Sequence, residues 1–268
     1  MTENFNSFKN NKVIWFIITG LALAVSILGI INSSMYEEVM ELTYIPGTVS
    51  QDIMTIIISF FTIFLIFKTQ ENNIKNQIVI LGFMGYFFYA YGLYVIDQLF
   101  VIIYYLYLVI FTLSFYSIIF NVYRISLIKN LKIELPEKIR KVTLVFTMVV
   151  PVVFIPLWTM LLTQFISEQT KVETVFSVII IDLGFIMPLF LITSYLIKIK
   201  SDKGLLFAPS LLIIGATILL PVAGAEFIKP FYDFSIAIGE FFFYISFSIT
   251  FFLLTGFYLK RINLSLDK

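Results

Sequence analysis

Eight runs of roughly 20 nearly uncharged residues follow one another along this chain, and they leave almost nothing between them. A hydrocarbon core about 30 Å thick is crossed by about 20 helical residues. The runs fall at about 13–32, 51–68, 77–96, 100–123, 142–165, 174–197, 205–228 and 234–259. They predict an all-α, polytopic transmembrane helix bundle occupying residues 1–268 as a single domain. Strands of a membrane barrel would be about half as long and would alternate apolar with polar residues, which these runs do not.

Charge gives the expected orientation. Every one of the 18 basic residues except Lys171 and Lys229 falls in a terminus or connection on one side of an eight-span path. Lysine and arginine in short loops mark the cytoplasmic face, so both termini are expected inside. The longest connections, 33–50 and 124–141, are too short for a soluble domain. The first run follows Lys9 and Lys12 and reads as an uncleaved signal anchor, because INSSMY after it lacks a small-residue cleavage pattern. In RISLIKNLKIEL, the spacing of Ile125, Ile128, Leu131 and Leu135 fits either a short amphipathic helix on the inner leaflet or a solvated linker.

Composition narrows the chemistry. The chain has no cysteine and no histidine, which excludes disulfides, Cys or His zinc sites, histidine-held haem and a histidine general base. No phosphate-binding glycine loop, nucleophile elbow or paired metal-ligand motif is present, and no cofactor is expected. Abundant Ile, Phe, Lys and Asn point to an AT-rich genome, hence a prokaryotic plasma membrane.

The acids sort by depth. Asp182 stands about 12 Å into the sixth run and Glu240 about 9 Å into the eighth, both from the outer side. A charge facing lipid at such depth costs on the order of 2.5–3.5 kcal/mol, so Asp182 should face the interior, either as a ligand for a cation or as an interhelical tie. Asp52, Asp97 and Glu226 read as solvated helix ends. In YIPGTVSQD the sequence suggests a Pro-Gly turn, then Ser50 as a helix N-cap with Asp52 in the first turn.

Aromatic and small residues mark the third run, where Gly82, Gly85, Tyr86, Tyr89, Leu93 and Asp97 share a sector of about 120° that should be the packed face. Tyr86 and Tyr89 are expected inside. Tyr94, Tyr104, Tyr105 and Tyr107 are expected in an interfacial belt. Five prolines, at 151, 156, 188, 209 and 221, lie within the fifth to seventh runs. Pro188 follows Asp182 and Gly184, a combination of helix break and acid found in secondary transporters.

Taken together, SQDIMTIIISF, GFMGYFFYAYGLY and IIIDLGFIMPL followed by KIKSDKG resemble a family of prokaryotic multi-pass membrane proteins of unknown function. The resemblance implies a Q-D pair, a G-x-x-x-Y-x-Y pattern and a D-L-G-x-x-x-P motif, here Gln51, Asp52, Tyr89, Tyr91, Asp182, Gly184 and Pro188. It implies no activity. The expected function is transport or sensing of a small cation or cationic solute in an outward-facing pocket. Its ligand-binding residues would be Asp182, Glu240, Asp52, Tyr86, Tyr89 and Asp97, with no catalytic residue. A structural or regulatory subunit and a lipid-acting enzyme are the alternatives, the enzyme disfavoured by the missing histidine and cysteine. The expected partners are the lipid bilayer, the cationic solute and a further membrane protein, with no nucleic acid.

Overall fold

Glycines decide which helices sit at the centre. A computed structural model describes residues 7–128, 131–168 and 176–266. Helix α4 (Ile74–Ile96) presents Gly82 and Gly85 to α9 (Asp202–Ile228). A β-carbon on Gly82 would stand 2.7 Å from Ile213 Cβ and 3.0 Å from the Ser210 carbonyl. One on Gly85 would overlap the Ile214 side chain. The two backbones therefore approach closely, and these are the two most buried long helices, with 78% and 67% of their apolar windows inside. Ser210 adds a hydroxyl donated to the Ile78 carbonyl at 2.7 Å.

Around this pair, α3 (Ile45–Lys68) packs on α9 and on α1 (Phe8–Ile31), and α5 (Tyr104–Ser126) packs on α4 and α1. Helix α10 (Ile238–Arg261) covers α9. The long α6 (Glu137–Glu168) packs chiefly on α8 (Met187–Lys198). The sixth span is composite: α7 (Phe176–Ile181), a π-helical turn at Asp182–Ile186, then α8. A short α2 (Ser34–Glu37) caps one end. Among the described residues, eight helical spans are long and apolar enough to cross a membrane, and large hydrophobics such as Phe60, Phe64 and Phe67 are exposed along their outer faces.

Several expectations change. Pro46 does not break the chain in a turn; it lies in the first helical turn of α3, where its missing N–H costs no hydrogen bond. The helix thus starts at Ile45, and Ser50 is inside it rather than at its cap. Pro151 and Pro156 leave α6 continuous over 32 residues, and Pro209 and Pro221 leave α9 continuous over 27. The described residues of the basic stretch after α5 form no amphipathic helix. Leu131–Glu134 is instead a strand, β1, paired antiparallel with β2 (Asn263–Leu266). Within LKIE the half-buried Leu131 and Ile133 alternate with exposed Lys132 and Glu134, so a period of two wins over one of 3.6.

One end of the bundle gathers the basic connections. Lys12 Nζ donates to the Thr69 carbonyl, Lys75 Nζ to the Leu259 carbonyl, and Arg140 Nη1 to the Ile197 carbonyl at 3.0 Å. Arg140 also pairs with Glu137, which lies 3.6 Å from Lys200. Lys171, one of the two basic residues outside that pattern, lies outside the described residues.

Candidate functional site

Because α3 begins at Ile45, Asp52 lies about 10 Å along the helix and is sealed at 1% exposure. It is not the solvated helix end that its place in the sequence suggested. Tyr36, brought in by α2, donates its hydroxyl to Asp52 Oδ2 at 2.6 Å. The Tyr107 hydroxyl stands 3.4 Å from that of Tyr36, and the Tyr94 hydroxyl donates to the Thr48 carbonyl at 3.3 Å, one turn from Asp52. Gly29 of α1 makes the room, since a β-carbon there would collide with both the Asp52 carboxyl and the Tyr36 hydroxyl. Tyr36 is held protonated: its pKa is raised well above the usual phenol range, first by burial and then by the charge of Asp52.

Further phenols surround this carboxyl. The Tyr91 hydroxyl shares a hydrogen bond with Ser26 at 3.2 Å and donates to the Ala22 carbonyl at 3.0 Å. Tyr86 and Thr55 share one at 2.7 Å. The rings of Tyr94 and Tyr107 are 5.0 Å apart, centre to centre. Tyr94 and Tyr107 are therefore interior residues and not members of a belt, whereas Tyr105 is exposed. Tyr104 is partly buried and donates to the Val95 carbonyl at 3.1 Å.

Asp182 occupies a second, separate centre at the start of the π turn. Pro188 cannot donate a helical hydrogen bond and its ring would crowd the Gly184 carbonyl in a regular α-helix. The wider turn accommodates it, with Met187 N–H bonding to the Asp182 carbonyl. The Asp182 side chain is 5% exposed. Its Oδ2 accepts from Trp158 Nε1 of α6 at 2.9 Å, and the Tyr89 hydroxyl of α4 also interacts with the carboxyl. Oδ1 has no hydrogen-bond partner among the described residues.

Asp97 caps the C-terminus of α4 and accepts from the Ser177 amide at 3.1 Å and the Ser177 hydroxyl at 2.5 Å. Partial burial raises its pKa from the ordinary carboxylate value, and the two bonds from Ser177 oppose that rise. Glu226, expected to be solvated, is 3% exposed and bonded to Lys229 Nζ at 2.6 Å and to the Ala237 amide at 2.7 Å. Glu240 is exposed in the first turn of α10, since that helix starts at Ile238; it is not deep in a span.

A cavity of about 710 Å³ opens between α3, α4, α7, α9 and the segment before α3. Thr48, Gln51, Tyr94, Asp97 and Ser177 line it, with Glu41 at its edge. Of the expected site residues, Asp97 lines this cavity, and it is joined there by Gln51, known from the sequence only as part of the Q-D motif of the resemblance. Asp52 and Tyr86 lie in the tyrosine cluster beside it, Asp182 and Tyr89 form the other centre, and Glu240 belongs to neither. No cluster of three or more acidic side chains that could hold a metal ion occurs among the described residues. Sequence reading passed over Tyr36, Trp158 and Ser177, and gave Tyr107 only a place in the interfacial belt. Tyr91 and Tyr94, three residues apart on one helical face, carried a signal that could have found the phenol cluster. No protein-family model, curated protein or solved structure matches the chain, so its function is read from the arrangement of these side chains.

Proposed function

We propose that this is an integral protein of a prokaryotic plasma membrane, with both termini cytoplasmic, that binds a small cation or cationic solute for transport or sensing. The basic connections gathered at one end support the orientation, since short loops rich in Lys and Arg stay inside. The cavity then opens outward. The observation that carries the reading is the wall of that cavity, which Asp97, Gln51, Thr48 and Tyr94 line together. Asp97 would supply charge, Gln51 and Thr48 oxygen ligands, and Tyr94 a face for cation–π attraction.

In this reading Asp182 ties α6 and α4 to the sixth span, and the pocket's ligand set moves from Asp182 to Asp97 and Gln51. The test is uptake or binding of a panel of alkali, alkaline-earth and quaternary ammonium ions by protein reconstituted in phosphatidylcholine vesicles. Asp97→Asn and Gln51→Ala should each weaken the response to the same cation about tenfold or more. A chain that binds none of the panel would instead be a structural or regulatory membrane subunit.

A further inference from the structure

We propose that Asp52 is a proton-binding site served by the cavity, so that a proton occupies the inner station behind the cationic solute. This deepens the reading of the cavity given above, although the proton site itself can be tested without any solute. Among the described residues, the titratable side chains facing Asp52 are all phenols. They come from α2 (Tyr36), α4 (Tyr86, Tyr91 and Tyr94) and α5 (Tyr107). Helix α1 contributes Ser26 and Gly29, and α9 sets Gly224 against Ser50. No lysine or arginine pairs with Asp52 among the described residues.

A buried carboxylate with no cationic partner is expensive, and the cost is removed by neutralising it. A metal ion would need volume and further charged ligands. Asp52 offers neither, because its carboxyl fills the space left by Gly29 and does not line the cavity. A proton needs no added volume. Tyr94 connects the two compartments: it lines the cavity, its hydroxyl donates to the Thr48 carbonyl at 3.3 Å, and its ring stands 5.0 Å from that of Tyr107, whose hydroxyl is 3.4 Å from that of Tyr36. On binding, hydronium in the cavity gives up a proton and becomes water, and a new O–H bond forms on the Asp52 carboxylate. Tyr36 keeps its own proton and remains the donor to Oδ2. On release the same bonds are reversed.

Infrared spectroscopy of the protein in phosphatidylcholine vesicles, stepped from mildly acid to alkaline pH, tests this directly. The expected result is a carboxylic-acid carbonyl band that titrates, disappears in Asp52→Asn and persists in Asp182→Asn. Asp52→Glu should shift the band's frequency, which keeps the test valid if the asparagine variant fails to fold. Tyr36→Phe removes the 2.6 Å hydrogen bond to Oδ2, so the frequency of the Asp52 carbonyl band should shift. A band lost only in Asp182→Asn, or no titrating band, would overturn the proposal. Asp97→Asn should leave the band in place while weakening solute uptake, so failure of the cavity reading is distinguishable from failure of the proton site.

Discussion

Trp158 on α6 donates its indole N–H to Asp182 Oδ2 at 2.9 Å, and the other oxygen of that carboxyl has no hydrogen-bond partner among the described residues. Trp158→Phe keeps an aromatic side chain but strips the remaining indole donor, which should cost about 1–3 kcal/mol. Asp182→Asn keeps an oxygen acceptor for Trp158 and should cost less than Asp182→Ala. Thermal unfolding in detergent, followed by retention of the monodisperse peak, checks both. Equal losses for the Asn and Ala variants would show that the negative charge, not the interhelical bond, is what Asp182 supplies.

At the α4–α9 contact, Gly82→Ala must push against the β-carbon of Ile213 and the carbonyl of Ser210, neither of which is the free end of a flexible chain. The expected loss is about 1–3 kcal/mol. Gly20→Ala in α1 meets nothing within 4 Å and should be neutral or stabilising by up to about 1 kcal/mol. The same unfolding measurement on the two variants separates helix propensity from packing.

For Asp97, partial burial raises the folded-state pKa. The folded protein then binds this proton more tightly than the unfolded chain does. Stability from this group is present below the ordinary carboxylate pKa and is lost as pH rises through the raised value. Asp97→Asn should flatten that part of the stability-against-pH curve. Ser177→Ala removes the hydroxyl donor to the ionised form and should move the loss to higher pH.

At the basic end, Arg140 is mostly buried and donates to the Ile197 carbonyl while pairing with Glu137. Arg140→Met should destabilise more than the Lys200 substitution, because it removes the guanidinium bonds to Glu137 and to the Ile197 carbonyl, which then keeps only backbone donors such as the Lys200 amide at 3.1 Å. Lys200 is 65% exposed at its side chain and stands 3.6 Å from Glu137, so Lys200→Met should change stability by less than about 1 kcal/mol. Denaturation at low and high salt should find sensitivity to both substitutions small by comparison with the Arg140 loss.

Glu240→Gln should leave cation uptake unchanged. The side chain is exposed at the start of α10, away from the residues lining the cavity. Its expected effect is on the helix terminus, about 0.3–1 kcal/mol from interaction with the helix dipole. A large loss of uptake in a stably folded Glu240→Gln protein would contradict the placement of the solute beside Asp97.

The eight spans were legible because a membrane-length apolar run has one economical conformation, with its backbone hydrogen bonds satisfied internally. The packed face of α4 was legible too, through Gly82 and Gly85. Tyr94 and Tyr107 were not, because an interfacial tyrosine and a buried one look alike until the partner is known. Their common neighbour Asp52 comes from another helix. Asp52 itself was misplaced for a local reason, since Pro46 reads equally well as a turn or as the opening of a helix. Leu131 and Ile133 fit two periods within a few residues, and the strand that decides between them belongs to a distant part of the chain.

That distance has a consequence for synthesis. β1 cannot close its two-stranded ribbon until α6 through α10 have been made, because its partner β2 lies more than a hundred residues later. During translation the segment after α5 must wait, unpaired, while half of the bundle is inserted. Ribosome-stalled chains ending before Asn263 should therefore leave Leu131–Glu134 open to protease, and chains carrying β2 clear of the ribosome should protect it.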